Sequence, residues 1–300
     1  MQYFLQDFFI LLLAPLLMGW IKQVKAWCQN RSAPPLCQVY YTLDKLLLKQ
    51  PVLAPQASWL FRCVPYVYLS CFIGLSFLLP WLDVIVIVGI LALARIFLAL
   101  AAMDIGTAFG SLGARRDLFI ACLAEPVLLL VFLNVGLLTH TTHLGQMTLY
   151  LLAHPTLYPS LFFSLLALFL LILAETGRIP IDNPATHLEL TMIHEAMLLE
   201  YSGRYLALIE WANTIKLTFY LILLIALFFP YGLTLGHQPF ALFLSLLSTV
   251  LKLFVLTTVM GILESLNAKM RIFKIPEYLS AALMLAIFGL LLTQLLGTAS

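Results

Sequence analysis

Long apolar runs fill most of this chain, and short polar stretches separate them. Eight of the runs approach the roughly 20 residues that a helix needs to cross the hydrocarbon core of a bilayer. The pattern therefore predicts an all-α polytopic membrane protein of about eight transmembrane helices, forming a single membrane domain over residues 1–300. The predicted spans are about 4–22, 62–81, 83–103, 118–138, 159–175, 206–230, 240–264 and 277–297.

Composition supports the membrane assignment and excludes a soluble domain. Hydrophobic residues make up 63% of the chain, charged residues make up 10%, and the mean hydropathy is +1.03. The five cysteines include no CxxC pair, so neither an iron–sulfur cluster nor a zinc site is indicated. We expect them to be small buried apolar side chains and expect no metal in this chain. The cysteines are Cys28, Cys37, Cys63, Cys71 and Cys122.

The segment between the first two predicted spans has apolar residues on one helix face and is not apolar throughout. In residues 36–49, apolar side chains recur at the spacing of one helix face, while Asp44, Lys45 and Lys49 lie away from that face. A helix with this pattern is typical of a segment that lies in the plane of the membrane interface. We therefore predict an interfacial amphipathic helix here.

The basic residues indicate the orientation of the chain. All Lys and Arg residues except Arg95, Lys216 and Lys252 lie in, or at the edge of, the loops after spans one, three, five and seven. The loops after spans two, four and six contain none. Since cytoplasmic loops carry an excess of Lys and Arg, these observations place both termini outside the cytoplasm.

Several ionisable residues fall inside the predicted spans or at their ends. A charged side chain at the centre of a bilayer costs about 2.5–3.5 kcal/mol on insertion scales, so such residues indicate a hydrated or paired interior. Desolvation also brings carboxyl and amine groups toward the range where protons are relayed. We predict a proton pathway through them; snorkelling or static ion pairing is the alternative. The residues are Glu125, Glu175, Lys216, Lys252 and Glu264.

The stretch from Glu175 to Arg204 interrupts the apolar runs with a cluster of acidic residues. Its position after span five places it in the cytoplasm, and Ala185 to Tyr201 can form a helix. We expect this loop to dock on a soluble partner, with Arg178, Arg204 and Tyr201 at its ends. Its acids extend the predicted proton pathway; they are Glu175, Asp182, Glu189, Glu195 and Glu200.

Two motifs in this stretch, ETGRIPIDNP at 175–184 and EYSG at 200–203, resemble the signature loop of the complex I subunit 1 family. The resemblance extends over essentially the whole sequence. Within that family the sequence is most similar to the membrane subunit of energy-converting hydrogenases of the hydrogenase-4 and formate hydrogenlyase type. It has Ala185 and His187 where complex I proteins usually carry carboxylates, and a longer spacing between Glu189 and Glu200.

The resemblance also implies a quinone region near the first cytoplasmic loop, at Arg31, Pro34, Gln38 and Lys45. Departures from the family pattern at Ser32-Ala33, Pro35 and Thr42 argue against quinone binding by this chain. The family further implies that the chain itself holds no cofactor. The iron–sulfur and nickel–iron centres are then expected in partner subunits.

Taken with the resemblance, the residues indicate a membrane-anchoring, proton-path subunit of a multisubunit energy-converting oxidoreductase of the hydrogenase type. Expected partners are a hydrophilic large subunit, iron–sulfur subunits and antiporter-like membrane subunits in a prokaryotic inner membrane. One alternative is the quinone-binding subunit of a complex I type NADH dehydrogenase module. Another is an independent secondary ion transporter, although the sequence shows no evident internal repeat of the kind that many transporters have.

The orientation can be tested with a reporter fused after Ser300. Because the loops on one side contain no basic residues, we expect the reporter to behave as non-cytoplasmic. Measuring alkaline phosphatase and fluorescent-protein fusions side by side gives opposite signals for the two locations. Cytoplasmic labelling of the fusion would require an odd number of spans and would contradict this topology.

Overall fold

The computed structural model describes residues 2–154, 158–178, 193–232, 239–268, 270 and 274–297, and this part of the chain is helical. A 3₁₀ turn (Leu79–Trp81) follows the third helix, and one isolated bridge pairs Asp83 with His143. In chain order the α-helices are α1 (Gln2–Cys28), α2 (Gln38–Leu48), α3 (Trp59–Leu78), α4 (Val84–Asp104), α5 (Ala108–Thr139), α6 (Leu144–Ala153), α7 (Pro159–Glu175), α8 (His194–Leu198), α9 (Gly203–Phe228), α10 (Pro239–Leu266) and α11 (Ile275–Gly297).

The all-α membrane fold is confirmed. The eight predicted spans fall on helices α1, α3, α4, α5, α7, α9, α10 and α11. Among the residues described, six helices are long and apolar enough to cross a membrane, and α7 is a shorter apolar helix of 17 residues. The predicted amphipathic segment is α2, which packs against α1 and α9 and buries Val39 and Leu43.

Helix α9 occupies the centre of the bundle. It packs against α1, α2, α3, α7 and α10, and its middle buries apolar side chains on all sides, among them Phe219 and Leu221. A helix that is apolar all round is stable only when neighbours surround it. The outer helices differ: Ile85 on α4 and Leu251 on α10 leave most of their side chains exposed, as expected for surfaces that meet lipid or another subunit.

Helix α5 begins ten residues earlier than the predicted span at 118–138. Arg115 and Arg116 therefore lie on a helix and not in a loop, because no proline interrupts this stretch and its glycines permit close packing. A Cβ atom on Gly113 would lie 2.8 Å from the Cβ of Ala196 on α8. The ten extra residues lengthen α5 at its N-terminal end by about 15 Å, at 1.5 Å per residue.

Two connections between the predicted spans contain short helices. Helix α6 lies between His143 and His154, in the connection between the fourth and fifth predicted spans. The helix predicted from Ala185 to Tyr201 has only its last part within the described residues, where α8 spans His194–Leu198 and ends before Tyr201. Residues 179–192 lie outside the described part of the chain.

The prediction that the cysteines are buried was wrong for four of the five. Cys28, Cys37, Cys63 and Cys122 are exposed on the isolated chain, and Cys71 is partly exposed. The apolar character of cysteine suits a lipid-facing surface as well as a core, so composition alone does not distinguish the two positions.

A buried polar contact joins three helices in the outer half of the bundle. The amide nitrogen of Asn134 on α5 donates to the Ser164 hydroxyl on α7 at 2.5 Å and to the Ser160 carbonyl at 3.3 Å. Thr293 on α11 donates to the Asn134 side-chain oxygen. Gly289 permits the approach, since a Cβ there would meet Asn134 at 3.1 Å and Ser164 at 2.8 Å. Interhelical hydrogen bonds of this kind hold membrane helices together where the hydrophobic effect contributes little.

We expect Asn134→Leu to destabilise the bundle by about 1–3 kcal/mol, because it removes hydrogen bonds to two neighbouring helices. Phe119→Ala is the control: Phe119 also lies on α5, but 56% of its surface is exposed. Unfolding in mixed detergent micelles, followed by tryptophan fluorescence, measures the difference. Equal stability of the two variants would show that the Asn134 contact contributes nothing.

Candidate functional site

The Arg95 guanidinium on α4 is the centre of a buried cluster of charged side chains. It pairs with the Glu175 carboxylate at the end of α7. It also approaches the carboxylates of Asp117 and Glu125 on α5, at 3.7 Å in each case. Arg95 and Glu175 are almost fully buried, whereas 37% of the Glu125 side chain is exposed. One guanidinium thus contacts carboxylates from two other helices, which is possible because it has five N–H donors.

Helix α9 adds a second cation to the cluster. The Lys216 ammonium lies 3.3 Å from the same Glu175 oxygen that Arg95 contacts. Tyr68 and Tyr220 line a cavity of about 10 Å³ with these residues, which is close to the space that one water molecule needs. The Tyr68 hydroxyl donates to the Asn213 side chain at 2.9 Å.

His194 connects the polar stretch after α7 to this cluster. Its Nε2 lies 3.2 Å from the other oxygen of Asp117. Gly177 has φ +60°, and a Cβ there would lie 2.9 Å from the His194 ring, so the turn after α7 passes directly over the histidine. Only glycine adopts this conformation without a steric penalty. The start of α8 is therefore packed between α5 and the end of α7.

The arrangement is suited to holding and moving protons. Carboxylates, an amine and an imidazole lie in one continuous set of contacts, and these groups change protonation state in proteins. Arginine does not, so Arg95 acts as a fixed positive charge among them. In the part of the chain that the structure describes, no three His, Cys, Asp or Glu side chains are arranged to hold a metal ion.

Glu264 belongs to a separate cluster. One of its oxygens pairs with Arg178 at 2.5 Å and the other with Lys25 at 2.6 Å. Arg178 also contacts the Met18 sulfur at 2.8 Å. Both Glu264 carboxylate oxygens are paired with cations, and Glu264 is only 3% exposed. This cluster therefore holds α1, α10 and the turn after α7 together.

Lys252 lies apart from both clusters. Its ammonium donates to the backbone carbonyls of Phe229, at 2.8 Å, and Tyr231. These carbonyls follow the last turn of α9, where a cation satisfies unpaired acceptors and interacts favourably with the helix dipole. The structure therefore gives Lys252 a helix-capping contact and no contact with Glu125.

Two of the three residues predicted to contact a partner are internal. Arg178 is 8% exposed, and Tyr201 is 3% exposed and stacks on Phe61 at 3.9 Å between ring centroids. The Tyr201 hydroxyl donates to the Phe61 carbonyl, and burial together with the Asp104 carboxylate raises the pKa of Tyr201. Both side chains are used within this chain, so neither is available for docking in this arrangement. Arg204 is exposed and lies over the Tyr205 ring.

The remaining predicted residues have different environments. Glu195 lies in the first turn of α8 and is partly buried, and Glu200 is exposed just after that helix. Asp182 and Glu189 lie outside the described residues. Between α1 and α3, Arg31, Gln38 and Lys45 are exposed, and the Pro34 carbonyl accepts a hydrogen bond from Gln23. A quinone role for this loop stays a prediction.

Sequence reasoning misses some members of the Arg95 cluster. The apolar pattern identifies Arg95 as an intramembrane charge but gives it no role, and it leaves Asp117 just outside the predicted fourth span. The position of His194 in a polar stretch does not indicate its contact with α5. Tyr68 and Tyr220 carry no signal in the sequence beyond their position in apolar runs. For Asp117 a signal exists, because the residues from Ala108 to Asp117 contain no helix-breaking proline.

Comparisons with known proteins agree on one family. The family model described as NADH dehydrogenase matches residues 2–294. Hydrogenase-4 component C of Escherichia coli (strain K12) is 32% identical over 276 residues, covering 89% of this chain and 87% of the relative. Formate hydrogenlyase subunit 4 of the same strain is 29% identical over 280 residues, covering 89% of this chain and 90% of the relative.

A solved structure supports the fold. A chain of the membrane-bound sulfane sulfur reductase, described as an archaeal respiratory membrane complex, superposes with a TM-score of 0.78. The alignment covers 98% of this chain and 100% of that chain, at 18% sequence identity. The helical arrangement is therefore shared along the full length of both chains.

We expect Arg95→Gln to reduce the stability of the folded chain by about 3–5 kcal/mol, because it leaves buried carboxylates without their cation. Arg62→Gln, at an exposed position on α3, is the matched control. The yield of monodisperse protein after detergent extraction measures the effect, and Arg95→Lys should restore part of it. Normal yield of Arg95→Gln would show that the cluster does not depend on this charge.

Proposed function

The chain belongs to the NADH dehydrogenase family, and on that premise we propose that it is the membrane-anchoring, proton-path subunit of a multisubunit energy-converting oxidoreductase. One observation carries the proposal. The buried cluster of Arg95, Asp117, Glu175 and Lys216 is continuous, through His194, with the cytoplasmic stretch where a redox partner would sit. Such a connection is what coupling between a soluble arm and a membrane arm requires.

The two relatives from Escherichia coli favour the hydrogenase branch of the family. They are named as parts of hydrogenase-4 and formate hydrogenlyase, and each matches this chain over most of its length. By that likeness, the partners of this chain are a hydrophilic hydrogenase-type large subunit, iron–sulfur subunits and antiporter-like membrane subunits. The redox centres belong to those partners, and the complex lies in a prokaryotic inner membrane with both termini of this chain outside the cytoplasm.

Each group has a distinct role in the proposed pathway. His194 and Asp117 receive protons from the cytoplasmic side, and Glu175 exchanges them with Lys216 while Arg95 keeps its charge. Glu125 lies farthest along α5 and delivers protons to the membrane arm. Pro126 follows it immediately and leaves a backbone carbonyl one turn earlier without its helical donor, which favours ordered water beside the carboxyl group. Glu264 and Lys252 act as structural contacts and not as carriers.

The alternatives predict different properties. A quinone-binding subunit would require a ligand site near Arg31, Gln38 and Lys45, and these side chains are exposed. An independent transporter would function without soluble partners and would purify alone. Co-purification of the wild-type chain with iron–sulfur polypeptides, followed by extraction and assay of bound quinone, separates the three proposals.

We expect Glu125→Gln to leave the complex assembled but to slow or uncouple its electron transfer. Glutamine keeps the shape and most of the hydrogen bonding of glutamate but carries no proton. Glu277→Gln, at an exposed position in the first turn of α11, is the control and should behave as wild type. Subunit content and proton uptake into inverted vesicles, measured on the same preparations, give the two readouts.

Two outcomes would count against the proposal. Full proton translocation by Glu125→Gln would remove Glu125 from the pathway. Loss of subunits from that variant, with Glu277→Gln intact, would make Glu125 a structural contact between helices.

A further inference from the structure

Glu125 lies in an unusual place for a carboxylate. Helix α5 runs from Ala108 to Thr139, so Glu125 is about 21–26 Å from either end at 1.5 Å per residue. At this depth 37% of its side chain is exposed on the isolated chain. In the described part of the chain, its one recorded polar contact is Arg95 at 3.7 Å, which is longer than a hydrogen bond.

Hydrocarbon does not satisfy such a group. A carboxylate has two oxygens that together accept about four hydrogen bonds, and leaving it toward lipid at mid-bilayer is energetically costly. Intramembrane acids accordingly face a bundle interior, a hydrated cavity or a partner. The surface around Glu125 is therefore covered in the assembled protein.

An apolar groove lies along α5 beyond Glu125, and Glu125 itself is not one of its lining residues. It lies between the start of α4 and the second half of α5, has a volume of about 520 Å³, and is lined mainly by apolar side chains, including Ile85, Leu129 and Leu133. Leu129 is one helical turn beyond Glu125. At the outer rim the lining becomes polar, with His143 and Gln146.

The chemistry of Glu125 selects the occupant of this groove. A lipid acyl chain would fill the apolar part, but it carries no polar group at mid-bilayer. A transmembrane helix presents side chains at every depth. Within the Arg95 cluster, His194 contacts Asp117 and Lys216 contacts Glu175, whereas Glu125 has, among the described residues, only the 3.7 Å contact with Arg95, so a donor or a positive charge complements it.

We propose that this groove is the docking surface for one transmembrane helix of another membrane subunit. That helix places a basic or hydrogen-bond-donating side chain beside Glu125, and its apolar residues pack along Leu129 and Leu133. The inference rests on the proposed membership of a membrane complex but not on proton transfer. Glu125 would then belong to the Arg95 cluster of this chain and would also set the depth of the neighbouring helix in the membrane.

Site-specific photo-crosslinking in the intact purified complex tests the proposal. Benzoylphenylalanine replaces Leu133, which is 52% exposed in the groove, or Phe288 on α11, which is 56% exposed. The two positions lie at similar depth, because Asn134 and Gly289 approach each other within the bundle. Mass spectrometry then identifies the cross-linked peptide.

We expect the Leu133 position to give one adduct with a stoichiometric membrane subunit. The captured peptide should be an apolar span containing Lys, Arg, His, Asn or Gln, and the Phe288 position should not capture it. Glu125→Lys should lower the yield of this adduct about tenfold, because breaking a buried charge contact costs at least 1.4 kcal/mol. Glu125→Gln, which keeps a hydrogen-bonding group, should lower it less. An unchanged elution profile in size-exclusion chromatography shows that each variant is folded.

The opposite results would overturn the docking surface. These are adducts with lipid alone, adducts with a second copy of this chain, capture of a peptide without a polar residue, or a yield that Glu125→Lys leaves unchanged. The readout needs no electron transfer. Retention of the adduct in a complex that fails to couple protons would therefore refute the proposed function and leave the docking surface standing.

Discussion

The compensation of buried charge by Arg95 is the interaction on which the interior of this bundle depends. Three carboxylates from α5 and α7 lie beside one guanidinium on α4, and Lys216 on α9 shares one of them. A buried ion of this kind stabilises the fold only while its partners are present, since an unpaired charge in a low-dielectric interior carries a desolvation penalty of several kcal/mol. The relative placement of four helices is therefore tied to electrostatics as much as to packing.

Because Arg95 compensates the charge of the buried carboxylates, the cluster is both rigid and suited to proton transfer. Arg95 keeps its charge at every accessible pH, so it fixes the positions of its partners. In the proposed pathway, the titratable groups around it would exchange protons while Arg95 keeps its charge. A static ion pair and a proton relay therefore use the same contacts. Substitutions that preserve shape, such as glutamate to glutamine, distinguish the two roles because they alter charge without leaving a cavity.

Much of the fold follows from the apolar pattern, because each span must bury its backbone hydrogen bonds within a helix. The pattern predicted the positions of the eight long helices and of α2. The site was harder to predict. Asp117 lies in a polar stretch that resembles a loop, and the close approach of Gly113 to α8 is a tertiary contact that the apolar pattern does not reveal. Lys252 and Glu264 are intramembrane charges like Glu175, and periodicity does not reveal which charges meet.

The Arg95 cluster and the Glu264 cluster are joined through Glu175 and Arg178, which have only two residues between them. Glu175 points to Arg95 and Lys216, whereas Arg178 points to Glu264 and Lys25, and Gly177 with φ +60° separates them. The Arg178 amide bonds to the Leu173 carbonyl, so the turn is fixed to the end of α7. A displacement of this turn therefore changes both clusters together. A force applied to the polar stretch after α7 would reach the centre of the bundle and its α1–α10 side in a single movement.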